Sequence, residues 1–241
     1  MKDNVFDMLQ KLETTHWWFL ARREILEAFI KRIQLPDDCA ILEAGCGTGG
    51  NTLMLQRYGK VTLLEPSPAA CEYLRENTGL DPLCCSLPDT SPIEGRQYDL
   101  VALFDVLEHI EDDCQTLVNL GRMLSPQGKI FITVPAYRFL WSRHDEISAH
   151  FRRYTKKTLT EVIEKAGMQI ETIGYFNSLL FPMGIISRLL DRWSKKEPDI
   201  KVGKILNAIL YNIFLLEKQC LKFIKFPFGM SVYAICSNKQ S

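Results

Sequence analysis

Three glycines follow a short apolar run in the string ILEAGCGTGG, which covers residues 41–50. Gly45, Gly47 and Gly49 would let the chain turn tightly from a strand into a helix and approach a ligand closely. Glu65 ends the next apolar run, 20 positions after Gly45. A carboxylate there can accept hydrogen bonds from the two hydroxyls of a ribose. The spacing predicts a nucleoside-binding turn, and a tight turn without a ligand is the alternative.

Glu43 stands two positions before the first of these glycines. Gly45, Gly47 and Gly50 also satisfy the dinucleotide fingerprint, so a NAD(P)-dependent oxidoreductase is an alternative function. A carboxylate at Glu43 would repel a pyrophosphate, whereas it would attract the ammonium group of a methionine tail. The sequence therefore favours S-adenosyl-L-methionine over a nicotinamide cofactor.

His109 follows Asp105 and Glu108 directly after the apolar run at 98–104. If this segment is helical, the three side chains share one face at the carboxyl end of a strand, where ligands bind in α/β folds. Three hypotheses stay open: His109 is a general base, the trio binds a divalent metal, or the acids and the histidine brace a turn. Because a clear fourth ligand is missing, we predict no metal.

Residues 137–154, YRFLWSRHDEISAHFRRY, concentrate aromatic, histidine and arginine side chains. The segment begins where the fifth predicted strand ends, so it could fold over a bound substrate, with Arg152 and Arg153 gripping a carboxylate or phosphate. A surface loop with paired charges is the alternative. The candidate catalytic residues are then Asp105, His109, His144 and His150.

Helical periodicity alternates along the chain with short apolar runs, a pattern typical of a parallel sheet with right-handed crossovers. It predicts an α/β fold, namely a Rossmann-like, doubly wound, seven-stranded and mostly parallel sheet. An N-terminal helical cap would cover residues 1–34, and one domain would cover 35–241. Within that domain we expect a lid at 136–155 on the acceptor side and an apolar helical insertion at 177–229. The predicted strands are 39–45, 60–65, 81–86, 98–104, 129–134, 168–176 and 231–236.

The insertion at 177–229 reads as two amphipathic helices, with Lys218, Lys222 and Lys225 at helical spacing. Three uses are open: extra core or a homodimer surface, a tunnel for a hydrophobic substrate, or peripheral contact with a membrane whose anionic lipids face the lysines.

Composition excludes some partners and locations. The chain of 241 residues has 29 basic and 29 acidic side chains, so it lacks the excess positive charge typical of nucleic-acid binding. Its 8 cysteines include no C-x-x-C pair, and its start lacks an apolar signal core. We expect reduced thiols, no nucleic-acid partner and a cytoplasmic location, with membrane association as the alternative.

Several strings resemble the motifs of class I S-adenosylmethionine-dependent methyltransferases. They are E-x-G-x-G-x-G at 43–49, LLEP at 63–66, YDLVALFDVLEHIEDD at 98–113 and GKIFITVPAY at 128–137. The strings HWWF-x-x-RR at 16–23 and H-D-E…H-x-R-R-Y at 144–154 are similar to those of a bacterial subgroup with small-molecule or lipid-type substrates.

The resemblance implies roles for a set of cofactor-binding residues. Glu43 and the glycine turn would hold the methionine portion, Glu65 the ribose, and Ser86 with Leu87 the adenine. Phe104, Asp105 and Val106 would line the methyl-donor pocket, and the helix with Trp18 and Arg22 would cover the cofactor, Arg22 pairing with the methionine carboxylate. Many relatives carry an Asp near the adenine, where this chain has Cys84, Cys85 and Ser86. The full predicted set is Trp18, Arg22, Glu43, Gly45, Cys46, Gly47, Gly49, Glu65, Pro66, Ser86, Leu87, Phe104, Asp105 and Val106.

The expected function is methyl transfer from S-adenosyl-L-methionine to an unidentified small-molecule or lipid-linked acceptor. A non-catalytic binding module with a methyltransferase-like fold is a further alternative.

Overall fold

A computed structural model describes residues 3–193 and 202–239 of the protein. One sheet of seven strands runs through it, with helices packed against both faces. The strands are β1 (Cys39–Ala44), β2 (Gly59–Glu65), β3 (Leu83–Cys84), β4 (Tyr98–Phe104), β5 (Leu124–Pro135), β6 (Met168–Phe176) and β7 (Ser231–Asn238). The helices are α1 (Asp3–Thr15), α2 (Trp17–Ile30), α3 (Thr52–Leu55), α4 (Pro68–Thr78), α5 (Asp113–Gly121), α6 (Arg143–Ile147), α7 (Lys156–Lys165), α8 (Phe181–Trp193) and α9 (Lys204–Cys220).

The strand order is β3-β2-β1-β4-β5-β7-β6. The first five strands pair in parallel, and β7 runs antiparallel between β5 and β6. The order reverses between β1 and β4, which creates a crevice beyond the carboxyl ends of these two strands. The predicted Rossmann-like, mostly parallel sheet is confirmed, and the crevice is where a ligand is expected.

The sheet is buried on both faces, which explains why β4 reads as an uninterrupted apolar run. Val101 and Leu103 pack into the layer that contains α5 and α7, while Leu100 and Ala102 pack into the layer that contains α2 and α9. This alternation follows from the period of two along a strand. The two layers hold the central strands rigidly and so fix the positions of the residues that follow them.

The N-terminal cap is two helices rather than the single helical stretch predicted for 1–34. The helix is interrupted at His16, whose backbone is extended and whose ring accepts the N–H of Trp18 at 3.3 Å. A side chain that satisfies a free N–H at the start of a helix favours a new helix there. The third strand is also shorter than predicted, since only Leu83–Cys84 pairs with β2.

The segment directly after β4 is not an α-helix. Asp105 has a left-handed backbone, with φ of 57°, and a short 3-10 turn follows at Leu107–His109. The helix begins only at Asp113, after the Asp112 side chain accepts the N–H of Gln115. The condition set in the sequence analysis, a helix that carries Asp105, Glu108 and His109 on one face, is therefore not met.

The insertion before β7 contains α8 and α9, and residues 194–201 of it lie outside the described residues. Glu217 links α9 to the segment just before α8. Its carboxylate is buried and accepts the N–H groups of Ser178 and Leu179 at 2.8 and 3.0 Å. Within 3–193 and 202–239, no helix is long and apolar enough to cross a bilayer.

Candidate functional site

The glycine turn between β1 and α3 requires glycine for two different reasons. Gly45, Gly47 and Gly49 all have left-handed backbones, with φ of 75°, 56° and 83°. A Cβ on Gly45 would lie 2.5 Å from the Val106 side chain, so this glycine permits close packing of the turn against the end of β4. A Cβ on Gly47 would have no atom of the described residues within 4 Å. The turn therefore presents bare backbone to open space at Gly47.

Glu65 lies directly beneath this turn. Its carboxylate accepts the N–H of Gly47 at 2.9 Å and the N–H of Ser67 at 3.0 Å, and burial raises its pKa. A carboxylate offers about four acceptor positions, so two further hydrogen bonds are available. This geometry is compatible with the predicted contact to ribose hydroxyls.

Glu43 occupies a different position from the one predicted. Its carboxyl is buried and accepts the hydroxyl of Thr52 at 2.6 Å, and it is not among the residues that line the crevice. Burial raises the pKa of Glu43 to about 8, although the Thr52 hydrogen bond opposes this shift. The group is then mostly uncharged near pH 7, because removing a carboxylate from water disfavours its charged form. The repulsion of a pyrophosphate, which the sequence analysis relied on, does not arise from an uncharged group.

Glu13 is a carboxylate at the crevice that the sequence analysis missed. It accepts the hydroxyl of Thr48 at 2.6 Å, and a Cβ on Gly50 would meet its carboxylate. Burial raises its pKa, while Thr48 and the charge of Arg23 lower it. It lies 35 positions before Thr48 in the sequence, on a helix with no motif around it, so no local signal could have identified it.

Arg22 and Asp105 form an ion pair at the floor of the crevice. Arg22 Nη2 lies 2.8 Å from Asp105 Oδ2 and donates to Thr133 Oγ1 at 3.0 Å. The guanidinium also lies over the ring of Trp18, 5.2 Å from its centroid. Arg22 Nε is buried and has no hydrogen-bond partner among the described residues. The side chain is thus rigidly held, with one donor left to satisfy.

These elements surround one cavity of about 360 Å³. It extends from the glycine turn and the end of β4 to the lid segment and the insertion. Its lining residues are Glu13, Trp18, Phe19, Arg22, Arg23, Gly45, Cys46, Gly47, Asn51, Phe104, Asp105, Glu108, His109, Pro135, His144, Ser148, His150, Arg153, Asn177, Arg188, Met230 and Ser231.

Of the predicted site residues, ten lie in this lining: Trp18, Arg22, Gly45, Cys46, Gly47, Phe104, Asp105, His109, His144 and His150. Seven others are not among the lining residues: Glu43, Gly49, Glu65, Pro66, Ser86, Leu87 and Val106. The structure brings the candidate catalytic residues to the same cavity as the glycine turn, whereas the predicted adenine neighbours are placed outside it.

Asp145 organises the far wall of the cavity. Its buried carboxylate accepts hydrogen bonds from Arg153 Nε at 2.7 Å, Arg153 Nη2 at 3.0 Å and the N–H of Ser142 at 2.8 Å. His150 Nδ1 lies 2.9 Å from the same carboxylate. Burial alone would raise the pKa of Asp145, but the hydrogen bonds from His150 and Arg153 hold it well below its usual range. The carboxylate is ionised and fixes both partners.

The predicted grip of Arg152 and Arg153 on a substrate is not what the structure shows. Arg153 forms an ion pair with Asp145, and Arg152 Nη1 lies 2.6 Å from Asp113. Both arginines satisfy internal carboxylates and so fix the lid segment to the domain.

Three histidine rings meet at this wall. The ring of His150 contacts that of His109 edge-on, with centroids 4.5 Å apart, and the ring of His144 at 6.1 Å. Burial lowers the pKa of His109, and the nearby His150 lowers it further. Burial and the charge of Arg188 lower the pKa of His144. His109 and His144 are therefore neutral near pH 7 and can accept a proton.

Glu108 is fully buried beside this group, and its Oε2 has no hydrogen-bond partner among the described residues. Burial and the charge of Asp105 raise its pKa well above the usual range. One side-chain atom from each of Glu108, His109 and His150 lies within 4.8 Å of the others, a spacing that could hold a metal ion. A protonated carboxyl would have to lose its proton first, so the absence of a metal stays our prediction.

Comparison with known proteins identifies the family. A family model described as a methyltransferase domain matches residues 18–173. The chain belongs to this family of methyltransferase domains. Membership implies S-adenosyl-L-methionine as the cofactor, and it removes the support for a nicotinamide enzyme.

The similar proteins carry related names. A probable S-adenosylmethionine-dependent methyltransferase of Mycolicibacterium smegmatis is 27% identical over 170 residues, which cover 69% of this chain and 65% of that protein. The mitochondrial ubiquinone biosynthesis O-methyltransferase of Schizosaccharomyces pombe is 31% identical over 100 residues, 39% of this chain and 36% of that protein. The match thus spans less than two thirds of either relative. A TehB-like SAM-dependent methyltransferase from Corynebacterium glutamicum has the same fold, with a TM-score of 0.59, 17% identity and coverage of 99% and 98% of the two chains.

The residues present fit this cofactor. Bare backbone at Gly47 faces open space, a carboxylate with free acceptor positions lies beneath it, and Arg22 Nε is a buried donor with no hydrogen-bond partner among the described residues. A ligand with a ribose and a carboxylate would satisfy these groups, because buried donors are normally hydrogen-bonded in proteins.

Proposed function

We propose that this protein transfers a methyl group from S-adenosyl-L-methionine to a hydroxyl of a small or lipid-linked acceptor that binds in the 360 Å³ cavity. The observation that supports this proposal best is the continuity of that cavity. It joins the glycine turn at Gly45 and Gly47 to the histidine group of His109, His144 and His150. A donor at one end and an acceptor at the other would then share one cavity.

The residues that would hold the cofactor follow from their positions. Glu65 would bind the ribose and Arg22 Nε the methionine carboxylate, while Trp18 and Phe104 enclose the guanidinium of Arg22. Glu13 faces the cavity, whereas Glu43 is buried beneath it. We therefore assign the contact with the ammonium group to Glu13, and Glu43 a supporting role through Thr52.

When bound, the cofactor supplies an activated methyl group on a sulfonium, so the protein need not form a covalent bond to the substrate. Its residues have two tasks, alignment of the acceptor and removal of a proton. The carboxylate of Asp145 holds His150 through Nδ1, which leaves Nε2 of that ring as the proton acceptor. His109, in ring contact with His150, is neutral and would assist in receiving the proton.

A hydroxyl acceptor is favoured over a carbon acceptor for two reasons. A neutral histidine, such as His109 or His144, is suited to taking a proton from a hydroxyl as the oxygen attacks. One of the similar proteins is also named as an O-methyltransferase. These observations support the proposal at the level of the acceptor atom, and the acceptor molecule itself is left to experiment.

The test is transfer of radiolabelled methyl from S-adenosyl-L-methionine to a panel of phenols, carboxylic acids and amines, offered in buffer and in lipid vesicles. Labelling of phenols that persists in EDTA supports the proposal, because no metal is required. Labelling of amines alone would contradict the choice of acceptor atom. Binding of S-adenosylhomocysteine without transfer to any member, or to the small molecules of a bacterial extract, would favour a non-catalytic binding module.

A further inference from the structure

The inner face of α9 is occupied by the domain core. Leu210, Phe214 and Leu221 are buried, and the ring of Phe214 contacts that of Trp17 on α2 with centroids 6.0 Å apart. This contact accounts for one apolar stripe of the helix. It does not account for the other hydrophobic residues of α9.

A second apolar stripe on α9 points to solvent. Ile205, Ile209 and Leu216 recur at helical spacing, and all are exposed, Ile205 to 80%. Of the fifteen large hydrophobic side chains that are exposed in the described residues, ten lie between positions 179 and 228. Isolated exposed hydrophobic residues are ordinary, but this concentration in one segment marks an interaction surface.

The apolar stripe continues past the end of α9. Phe223 is 87% exposed and Ile224 is also exposed, and they stand between Lys222 and Lys225, which are exposed as well. A large aromatic side chain in water, flanked by two cations, is typical of residues that enter the interface between lipid headgroups and acyl chains.

The charges of this region have one sign at the surface. Within 202–229 the only acid in the sequence is Glu217, which is buried against the N–H groups of Ser178 and Leu179. Lys218 lies 2.6 Å from Glu24 on α2. Lys204, Lys222 and Lys225 are exposed. Residues 202–229 therefore present apolar side chains and cations at the surface with no exposed acid of their own, and the neighbouring Glu24 is paired with Lys218.

We propose that this face, called the α9 surface and defined by Lys204, Ile205, Ile209, Leu216 and 222–225, binds an anionic lipid bilayer. Charge complementarity selects this partner over a neutral bilayer, because each lysine near an anionic membrane contributes about fivefold to the partition coefficient. A second copy of the chain is disfavoured because the same cations would face one another across the interface.

The location of the α9 surface connects it to the cavity. The same insertion supplies Asn177 and Arg188 to the cavity lining. A protein resting on a bilayer through α9 would hold its acceptor cavity near lipid-dissolved molecules. Membrane binding itself does not depend on the proposed reaction and is measured without any acceptor.

The experiment is co-sedimentation of the full chain with vesicles of phosphatidylcholine alone and of phosphatidylcholine mixed with phosphatidylglycerol. We expect binding to the anionic vesicles only, weakened when salt rises from about 50 to about 500 mM, since the Debye length then falls below about 5 Å. Lys222→Ala with Lys225→Ala should lower the partition coefficient about 25-fold, and Phe223→Ser about tenfold.

Two matched controls separate the α9 surface from general charge and hydrophobicity. Lys157→Ala removes an exposed lysine on α7, and Leu53→Ser removes a side chain of α3 that is 72% exposed. Both should bind vesicles as the unmodified chain does, and every variant should keep its affinity for S-adenosylhomocysteine, which shows that it is folded. Equal binding by the lysine pair variant would overturn the proposal. So would absence of binding together with a dimer, seen by sedimentation velocity, that Phe223→Ser dissociates.

Discussion

Arg22 Nη2 and Asp105 Oδ2 lie 2.8 Å apart at the floor of the cavity, and they join the N-terminal helix α2 to the carboxyl end of β4. The Arg22 side chain is 6% exposed and that of Asp105 26%. Asp105 makes this contact from a left-handed backbone directly after β4. The pair therefore couples α2, which contributes Trp18 and Arg22 to the cavity lining, to the carboxyl end of β4.

Removal of both partners should cost less than the two single removals summed, because each single variant leaves the other group without its partner. Asp105→Asn leaves a buried guanidinium without a counter-charge, and we expect it to lower the free energy of unfolding by about 3 kcal/mol. Arg22→Met combined with Asp105→Asn should recover at least about 1 kcal/mol of the summed losses of the single variants. Urea denaturation of the three variants measures this coupling. Additive losses would show that the two groups do not interact.

Gly47 and Gly95 form a matched pair for testing the glycine turn. Both have left-handed backbones and no atom of the described residues within 4 Å of a Cβ, so alanine should impose a similar strain of about 1 kcal/mol at each. Gly47 faces the cavity, whereas Gly95 lies in the turn before β4. Gly47→Ala should weaken binding of S-adenosylhomocysteine at least about tenfold.

Gly95→Ala should bind S-adenosylhomocysteine with unchanged affinity, which calorimetry can show for both variants. Equal affinities in the two alanine variants would mean that the ligand does not approach the turn at Gly47.

Glu43 should make stability depend on pH in a characteristic direction. Its pKa is raised from 4.5 to about 8 by burial, so the folded state holds a proton that the unfolded state releases between these values. The contribution to stability is complete below pH 4.5 and is lost as the pH rises through 8. The free energy of unfolding should fall by about 1.4 kcal/mol per pH unit in this window from this group alone.

Glu43→Gln keeps an oxygen for the Thr52 hydroxyl and removes the titration, so its stability should fall less steeply from pH 6 to pH 8. Glu94→Gln, at an exposed position, is the control and should follow the unmodified protein. The urea midpoints of the unmodified protein and the two variants, measured from pH 6 to pH 8, test this prediction. Parallel curves for all three proteins would show that Glu43 is ionised in the fold.

The sequence predicted the elements of this fold better than the contacts within its site. The apolar run at 98–104 and the glycines at 45–50 mark a buried strand and a turn by local composition. The left-handed backbone of Asp105 has no such mark, because residues other than glycine adopt it only where tertiary contacts compensate. For this reason the sequence left open whether residues 105–109 are helical, and the structure has a left-handed residue and a 3-10 turn there.

The three histidines that line the cavity show the same limit of prediction from sequence. The string around 144–154 indicated histidines and arginines at the cavity, and they are there. That Asp145 takes up Arg153 and His150 at once depends on the lid segment folding back onto β5, where the N–H of Tyr154 reaches the carbonyl of Pro135. Such a network is set by three-dimensional packing, so sequence spacing alone suggested a substrate contact for Arg153 instead.

Replacement of His150 or His109 should slow methyl transfer without weakening cofactor binding. With an acceptor from the labelling panel, His150→Asn or His109→Asn should lower kcat about 100-fold or more, the usual contribution of a general base. The Kd for S-adenosylhomocysteine should stay unchanged. His16→Asn is the control, because asparagine also caps a helix and His16 is not among the residues that line the cavity.

An unchanged kcat in both variants at neutral pH would contradict the proposed role of His150 and His109 as proton acceptors. A loss in the His16 variant of similar size would point instead to a general effect on the fold.

The central claim is that the crevice at the glycine turn binds a methionine-bearing nucleoside, and isothermal titration calorimetry tests it most directly. The purified, folded chain should bind S-adenosylhomocysteine at one site per molecule and give no heat with NADH or NADPH. Saturable heat with a nicotinamide dinucleotide, and none with S-adenosylhomocysteine, would contradict it.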